Sequence, residues 1–468
     1  MRYLFETLEL IKNKKLSVKE HLDELLENIK KYEDYNAFIS LDLDKVNEYI
    51  KQAENNSNSE LYGAFVGIKD NINVDGEKMT CASKILKDYV SIYDADVINF
   101  LKKDGAIPFG KLNMDEFAMG SSNETSYFGP VSNPIDKNLV PGGSSGGSAA
   151  SVKLGLCDVS LGTDTGGSVR QPASFCSVVG IKPTYGLISR YGVTSLANTL
   201  DTVGTFGNCV RDAYLLLRSI NKDTTKDMTK INVELPELIS TEKAISELKG
   251  KKIARIKTID SFHLDKEVKD AYENSLKKLE EYGAEIIEVD FKYLDYCVSC
   301  YYAIIEAEAS SNLSRFDGVR FASKDVDTND IHKYMQEIRG DGFGAEVKRR
   351  ILSGMYLLSG PHRNNEYLKA LKVRRAIAMD YENIFEKADA ILSPTAINLP
   401  FKKGERNHDP RKMMEGDLLS VPINIAGVPA ISVPTAKGNV INAGMQLIGA
   451  KKMDYNLVKL ALAFEGVQ

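Results

Sequence analysis

The chain has 468 residues, and length alone predicts about two or three domains. Its 43% hydrophobic and 27% charged residues are typical of a globular protein that buries a large core. The net charge of −5 argues against direct binding of this chain to a nucleic-acid backbone. It does not exclude a complex in which a partner protein binds the nucleic acid.

The N-terminal segment is predicted to be helical rather than a targeting signal, because its apolar residues recur at helical spacing among charges. Ser17 and Glu20 have the spacing of a capping box, and the chain is predicted to be largely helical from Ser17 to about Asn55. No stretch approaches 18 apolar residues, so neither a membrane span nor a membrane partner is expected.

Short apolar strands and helices alternate through the first half of the chain. Strands are predicted within LYGAFVGIKD, GAIPFGKL and LCDVSLGTD. Helices are predicted within DADVINFLKK, CVRDAYLLLRSI and the small-residue stretch 148–153. This alternation indicates an α/β protein.

The second half follows a charged, Thr-rich loop predicted at 221–240. KGKKIARIKTID and GAEIIEVDF flank a Lys/Glu-rich helix, which predicts a strand–helix–strand unit of a parallel sheet. Residues 295–387 are predicted to be mainly helical, and ADAILSPTA and PAISVPTA to contain short strands stopped by proline.

The six cysteines are scattered over the chain, which is typical of a reducing, cytoplasmic setting. Cys297 and Cys300 form one CxxC motif without a second pair or a nearby histidine. A zinc site would need two more ligands, so these two residues are predicted to be buried thiols.

Two Gly/Ser-rich segments lie in the middle of the chain: PGGSSGGSAAS, which contains Ser144 and Ser145, and TDTGGS, which ends at Ser168. Glycine lets successive backbone amides point the same way, so the second segment can aim several N–H groups at one oxygen. An oxyanion hole requires that arrangement. Ser168 is therefore a candidate nucleophile beside its own oxyanion donors.

A serine nucleophile needs a base. The five histidines lie in charged or polar surroundings outside the Gly-rich turns, which leaves Lys69, directly after an apolar strand. To be half neutral near pH 7.4 the Lys69 amine would need a pKa lowered by about 3 units, which burial can supply. Ser144 could then relay a proton between Ser168 and Lys69.

Structural alternatives apply to the same residues. Gly/Ser segments also form ordinary loops or phosphate-binding turns, although neither segment matches GK[ST] or GxGxxG after a strand. A lone lysine such as Lys69 is often a surface charge. Asp164 and Arg170 flank the candidate nucleophile and are expected to orient its turn, and Cys176 is expected to lie in the core.

The run PGGSSGGSAAS…LGTDTGGSVRQPASFCSVVGIKPTYGLISRYG resembles the amidase signature family. The resemblance extends over nearly the whole chain, and it implies one domain over residues 1–468 instead of the several that length suggests. The implied fold is an α/β fold with a large mixed β-sheet covered by helices on both sides.

The resemblance also implies catalytic roles. Lys69 would be the base, Ser144 a cis-configured bridging serine, and Ser168 the nucleophile. The implied oxyanion hole is made by the backbone amides of Thr165, Gly166, Gly167 and Ser168.

Within the family, KLNMDEFAMGSSNETSYFGPVSNP and GDLLSVPINIAGVPAISVP resemble the glutaminase subunits of tRNA-dependent amidotransferases. The implied activity is hydrolysis of glutamine to supply ammonia for converting Glu-tRNA(Gln) to Gln-tRNA(Gln). The implied partners are the B and C subunits of the amidotransferase, with Glu-tRNA(Gln) reached through the complex. No metal or cofactor is expected on this chain, and ATP and Mg²⁺ would belong to the partner. Whether Glu-tRNA(Gln), Asp-tRNA(Asn) or both are served stays open.

A glutamine pocket needs groups for the substrate's charged ends. Arg350 suits the α-carboxylate, because a guanidinium pairs bidentately, and Asp417 suits the α-ammonium. Tyr301 resembles the family's pocket tyrosine. Arg349 and Tyr302 are the neighbouring residues, and a shift of one position would exchange either choice.

Two other functions share much of this evidence. A stand-alone amidase acting on another small amide would keep Lys69, Ser144 and Ser168, but would not need the MDEFAMGSS and EVKRR stretches. A non-catalytic assembly protein would keep the fold, and the presence of all three residues argues against it.

Overall fold

The structure is a computed structural model that describes residues 2–321, 326, 328–406, 410–436, 438 and 440–468. The described strands are β1 Phe38–Ser40, β2 Phe65–Lys69, β3 Ile107–Leu112, β4 Val159–Asp164, β5 Val179–Lys182, β6 Thr202–Gly207, β7 Lys252–Ile256, β8 Glu285–Val289, β9 Ala390–Pro394, β10 Ala430–Pro434 and β11 Gly444–Ile448. They form a sheet with the order β1-β3-β2-β4-β6-β5-β10-β11-β9-β7-β8.

Helices precede, connect and cover these strands. Those described are α1 Leu4–Lys12, α2 Val18–Lys31, α3 Leu43–Ala53, α4 Asp96–Lys103, α5 Gly146–Leu154, α6 Arg170–Cys176, α7 Val210–Ile220, α8 Thr241–Ser246, α9 Lys266–Glu281, α10 Cys297–Leu313, α11 Ile331–Gly342, α12 Ala345–Leu358, α13 Gly360–His362, α14 Leu368–Phe385, α15 Pro410–Glu415, α16 Val421–Ala426 and α17 Asp454–Val467. No helix in the described ranges is both long and apolar enough to cross a bilayer.

The sheet is mixed. β2 runs parallel to β3 and β4, and β7 runs parallel to β8 and β9. The central strands β4, β6, β5, β10, β11 and β9 pair antiparallel. Every residue of β2, β3, β4, β6, β9 and β11 is buried. Successive residues of a strand face opposite sides, so both faces of the sheet are covered, and the predicted fold class is confirmed.

The predicted start of the second helix is confirmed in detail. Ser17 accepts a hydrogen bond from the Glu20 N–H, and the Glu20 carboxylate accepts one from the Ser17 N–H. The stretch from Ser17 to about Asn55 is largely helical, as predicted, but the short strand β1 separates α2 from α3. β1 completes the sheet edge by pairing with β3, a long-range contact that local periodicity does not encode.

The later predicted elements are also present. β7, α9 and β8 form the strand–helix–strand unit, with Ile253 opposite Ile286 in a parallel pair. Five helices, α10 to α14, occupy most of residues 295–387, although 322–325 and 327 of that prediction lie outside the described residues. The chain from Asn221 to Ser240 has no regular element, as predicted.

One hydrophobic cluster contains residues from Leu4 in α1 to Val467 in α17. The sheet likewise joins strands from both halves of the chain. These observations support the assignment of residues 1–468 to one domain, which stays a prediction.

A buried ion pair ties α2 to the sheet. His21 Nε2 lies 2.8 Å from Asp158 Oδ1, and the Phe65 N–H at the start of β2 donates to Asp158 Oδ2 over 2.8 Å. Burial opposes the charged imidazole, but the Asp158 carboxylate outweighs it, and the pKa of His21 is raised above its ordinary value. The charged pair therefore stabilises the folded state fully below the unfolded histidine pKa of about 6.5, and this contribution is lost as pH rises through the raised folded value.

We predict that His21→Gln lowers the free energy of unfolding more at pH 6 than at pH 9, because the lost charge pair exists only at the lower pH. Urea unfolding of both proteins at the two pH values measures this. His332→Gln, at an exposed position on α11, is the control and should show no such difference. An equal loss at both pH values for His21→Gln would contradict a charged pair.

Candidate active site

The candidate base lies where two parallel strands end. Val66 of β2 pairs with Val159 of β4, and Ile68 with Leu161, so Lys69 emerges beside Thr163 at the carboxyl edge of both strands. Ligands bind at this edge in many α/β proteins, because the strand ends and the following loops converge there.

The Lys69 amine is fully buried and surrounded by hydroxyl groups. Its Nζ lies 2.8 Å from Ser144 Oγ, 2.8 Å from Ser145 Oγ and 3.0 Å from Thr163 Oγ1. Hydroxyl groups both donate and accept, so they can pair with an amine that is neutral.

Burial lowers the pKa of Lys69 to about 7. The carboxylates of Asp115, Asp164 and Asp201 act in the opposite direction, but none outweighs the loss of water around the amine. At neutral pH a large fraction of Lys69 therefore has a free electron pair with which to accept a proton.

The two Gly/Ser segments meet at the candidate nucleophile. The Ser145 N–H, at the start of α5, donates to the Ser168 carbonyl oxygen over 3.2 Å. The Gly143–Ser144 peptide bond is cis, the configuration that the family resemblance implies. Ser168 is 9% exposed and lines a cavity together with Gly166 and Gly167.

A buried ion pair holds the turn that contains Ser168. Asp164 accepts hydrogen bonds from the Val169 N–H and from Nε and Nη2 of Arg170. Burial alone would raise the pKa of Asp164, but the Arg170 guanidinium keeps it well below its ordinary value. Asn424 adds a bond of 2.9 Å to the same carboxylate. The prediction that Asp164 and Arg170 orient this turn is confirmed by these bonds.

The predicted oxyanion donors differ in their surroundings. The Gly167 N–H donates to Asp164 Oδ1 over 2.9 Å, so this amide belongs to the scaffold of the turn and is not directed at the cavity. Including it in the oxyanion hole is therefore not supported, because the buried Asp164 carboxylate needs that donor. The Thr165 hydroxyl donates to Asp201, which fixes the first residue of the turn. Thr165, Gly166 and Ser168 remain the predicted amide donors.

The cavity has a volume of about 430 Å³ and contains all three predicted recognition residues. Ser168, Tyr301, Arg350 and Asp417 all contribute to its wall. α10, which carries Tyr301, packs against α12, which carries Arg350. The pair of helices therefore places recognition groups over the carboxyl edge of the sheet.

Hydrogen bonding separates the two adjacent arginines. Arg349 Nε and Nη2 donate to the Glu346 carboxylate and its Nη1 donates to Glu306. Arg350 donates from Nε to Glu346 over 2.6 Å. Its Nη1 and Nη2 groups make no hydrogen bond within the described part of the chain, although the side chain is 8% exposed. Arg350 is thus the arginine with donors left for a ligand carboxylate.

The adjacent tyrosines also have different contacts. The Tyr302 hydroxyl donates to Asp417 Oδ2 over 2.8 Å, and the Arg350 guanidinium lies 5.7 Å from the Tyr302 ring centre. The Tyr301 hydroxyl lies against Gly166, where a Cβ would collide with it. Burial raises the pKa of Asp417 to about 6, so it is mostly ionised at neutral pH.

Sequence reasoning missed Thr163 and Glu346, assigned no role to Ser145, and gave Tyr302 only as the alternative to Tyr301. Ser145 contacts Lys69 as closely as Ser144 does, and Thr163 provides a third hydroxyl. Tyr302 and Glu346 contact the two recognition residues. Strand pairing would have pointed to Thr163, but the contacts of Tyr302 and Glu346 depend on how α10 and α12 pack.

The six cysteines are free and buried, and Cys297 and Cys300 are buried thiols as predicted. Cys176 is fully buried, which agrees with its expected place in the core. In the described ranges, no group of three or more His, Cys, Asp or Glu side chains is arranged to hold a metal ion.

Comparisons with known proteins identify relatives of this chain. The family model described as Amidase matches residues 20–458. The A subunit of glutamyl-tRNA(Gln) amidotransferase from Clostridium botulinum (strain Eklund 17B / Type B) is 45% identical over 467 residues, covering 98% of this chain and 96% of that protein. A crystal structure of the subunit of that name from Thermotoga maritima is similar, with a TM-score of 0.81, 39% identity and coverage of 99% of this chain and 94% of that one. A bacterial aryl acylamidase at 21% identity shares the fold, with a TM-score of 0.86 and coverage of 100% and 96%.

We predict that amide cleavage by this protein rises with pH through about pH 7, because Lys69 must lose its proton to act as a base. Measurement of kcat/KM from pH 5.5 to 9 should show an acid limb with a midpoint near 7. Thr163→Val should move that midpoint to lower pH, because the charged amine loses a hydroxyl that accepts from it. An acid limb near pH 10, where an exposed lysine titrates, would contradict a neutral Lys69.

Proposed function

The chain belongs to the amidase family, and we propose that it is the glutamine-hydrolysing subunit of a tRNA-dependent amidotransferase. The observation that carries the proposal is the set of residues that line one cavity. Ser168, beside the buried Lys69 hydroxyl network, shares that cavity with Arg350 and Asp417, a cation and an anion suited to an α-amino acid.

The first half of the proposed reaction forms an acyl-enzyme. Ser168 Oγ attacks the side-chain amide carbon of glutamine while its proton passes through the Ser144 hydroxyl to neutral Lys69. The amide oxygen becomes an oxyanion, which the backbone N–H groups of Thr165, Gly166 and Ser168 would stabilise. The protonated Lys69 then returns the proton, through Ser144, to the leaving nitrogen. The C–N bond breaks and ammonia leaves.

The second half regenerates the serine. A water molecule attacks the ester carbon and gives a proton to the Ser144–Lys69 relay. The bond between the acyl carbon and Ser168 Oγ breaks, the oxygen recovers that proton, and glutamate is released. The Ser144–Lys69 relay therefore acts as base and then as acid in each half-reaction.

Substrate choice follows from the charged ends of glutamine. The free Nη1 and Nη2 groups of Arg350 would pair with the α-carboxylate, and Asp417 would accept the α-ammonium. The Tyr302 hydroxyl, 2.8 Å from Asp417, would keep that carboxylate in place. A simple amide without these charges would leave the free Nη groups of Arg350 and the Asp417 carboxylate without a substrate partner, which disfavours its binding.

The ammonia would serve a second reaction. In this proposal it passes to the B subunit, which uses ATP and Mg²⁺ to convert Glu-tRNA(Gln) to Gln-tRNA(Gln), while the C subunit holds the pair together. This chain itself would bind no cofactor or metal. The name of the Clostridium relative, one subunit of an amidotransferase, supports an assembly of several chains. The six unpaired thiols support a reducing, cytoplasmic location.

A stand-alone amidase is the alternative. The aryl acylamidase shares the fold, but at 21% identity it supports the architecture alone. The cavity wall contains one cationic and one anionic side chain, Arg350 and Asp417. These two charges favour the amide of an amino acid over an uncharged amide.

The deciding experiment measures glutamate release from glutamine by the chain alone, and then with the candidate B and C subunits, ATP and Glu-tRNA(Gln). The proposal predicts strong stimulation by the full set, because ammonia production would be coupled to its use. Turnover of uncharged amides by the lone chain, indifferent to the partners, would support the stand-alone amidase.

We predict that Ser168→Ala reduces glutaminase activity by about 10³-fold or more, because the nucleophile is lost. The same variant, assembled with its partners, should still form Gln-tRNA(Gln) from added ammonium salt. Glutamate release and Gln-tRNA(Gln) formation are the two readouts.

Ser148→Ala is the matched control, since Ser148 is a buried serine of the same Gly/Ser region whose hydroxyl donates to the Leu161 carbonyl oxygen on β4. It should retain both activities. Loss of ammonium-dependent amidation in Ser168→Ala would contradict a role confined to glutamine hydrolysis.

A further inference from the structure

A carboxylate from a distant segment lies buried at the wall of the active-site cavity. Glu116 is 3% exposed and is followed by Phe117, whose ring packs against Phe316 and Phe343 with centroid distances of 5.0 and 5.7 Å. Its oxygens accept hydrogen bonds from the Ser83 hydroxyl and from the Gly344 N–H, the latter over 2.9 Å. The catalytic steps described above do not use this residue.

Gly344 is the N-cap of α12, the helix that carries the carboxylate-binding arginine. The first N–H groups of a helix have no partner within the helix, and a negative charge near them is favourable. The N-cap of α12 has no side chain, and Glu116, 228 residues away in sequence, accepts from its backbone N–H. A Cβ at Gly344 would collide with Glu116 Oε2, so glycine permits this approach.

The same end of α12 sets the orientation of Arg350. Glu346 lies in the first turn of the helix, two residues after Gly344, and accepts from Arg350 Nε over 2.6 Å. It also accepts two bonds from Arg349. A displacement of the first turn would therefore move Glu346 and, with it, the guanidinium of Arg350, a residue that lines the cavity.

We propose that Glu116 is a positioning residue for substrate recognition: it anchors the N-terminus of α12 and so fixes Arg350 to receive the α-carboxylate of glutamine. This inference rests on the proposed glutaminase function. Glu116 does not touch the substrate amide in this proposal, so its removal weakens carboxylate recognition and leaves the chemical step intact.

The test compares L-glutamine with 4-aminobutanamide, which is glutamine without the α-carboxylate. Full-length wild type, Glu116→Ala and Gly344→Ala are assayed in the assembled complex for release of ammonia. An assay at pH 8.5 keeps Lys69 mainly neutral and Glu116 mainly ionised, because burial raises the pKa of the Glu116 carboxyl to about 7.

For Glu116→Ala we expect the KM for glutamine to rise about tenfold or more, as for loss of a hydrogen bond to a charged group. The kcat for glutamine, and kcat/KM for 4-aminobutanamide, should stay within about threefold of wild type. Gly344→Ala, which pushes Glu116 away from the other side, should have the same selective effect. The double variant should be no worse than either single one, because both break one contact.

Glutamine affinity gives a readout independent of turnover. Calorimetric titration of L-glutamine into Ser168→Ala and into Ser168→Ala/Glu116→Ala should give a Kd about tenfold higher for the second protein. Equal losses for glutamine and 4-aminobutanamide, or a fall in kcat with unchanged KM, would overturn the inference. Absence of glutamate release by the wild-type complex would instead overturn the proposed function, so the two failures are distinguishable.

Discussion

The active site depends on one constraint: the Lys69 amine has no contact with water. A lysine stripped of water loses its charge readily, and here the pKa falls to about 7. A neutral amine still needs hydrogen-bond partners, and hydroxyl groups meet that need without restoring the charge. Lys69 therefore requires Ser144, Ser145 and Thr163 around it. Thr163 comes from the strand that pairs with β2 in parallel, and the serines come from the segment that enters α5. The site thus depends on the order of the sheet as much as on its catalytic residues.

A second buried ionisable group, Asp164, lies in the same site, and unlike Lys69 it keeps its charge. Asp164 stays ionised because it receives bonds from Arg170, Asn424 and three backbone N–H groups of its own turn. A buried pair of this kind gains stability only where nearly every lone pair is satisfied. The result is a rigid turn in which Gly167 serves the carboxylate while its neighbours face the cavity. Two buried ionisable groups within one site therefore differ in charge, because burial dominates at Lys69 whereas the Arg170 guanidinium offsets burial at Asp164.

Local pattern was sufficient for the elements with strong periodicity and for the motif-bearing residues. The capping box at Ser17, the unit β7–α9–β8 and the strands that end at Lys69 and Asp164 all follow from short stretches of sequence. β5, β6 and β11 were not predicted, because they are placed by antiparallel pairing with other strands of the sheet, which a short stretch of sequence does not encode. Glycine permits close packing between two of them: a Cβ at Gly204 in β6 would collide with the Ile181 carbonyl on β5. Residues whose partners are distant in sequence cannot be recognised from a local pattern; Glu116, which accepts a hydrogen bond from the Gly344 N–H, is an example.

The adjacent pairs in the glutamine pocket show why the sequence could not separate their members. Successive residues of a helix point about 100° apart, so two neighbours that line one cavity contact different partners in it. Sequence resemblance locates the pair, whereas the face depends on how α10 and α12 pack together. For the arginines, the structure separates the two by their hydrogen bonds: Arg349 commits all three of its nitrogens to Glu346 and Glu306, and Arg350 keeps two. For the tyrosines both side chains line the cavity, but their contacts differ. Tyr302 donates a hydrogen bond to the Asp417 carboxylate, and Tyr301 packs against Gly166 in the turn that contains Ser168. Adjacent residues of α10 therefore contact both the substrate-recognition group Asp417 and the turn of the nucleophile. A shift of α10 would disturb both contacts together.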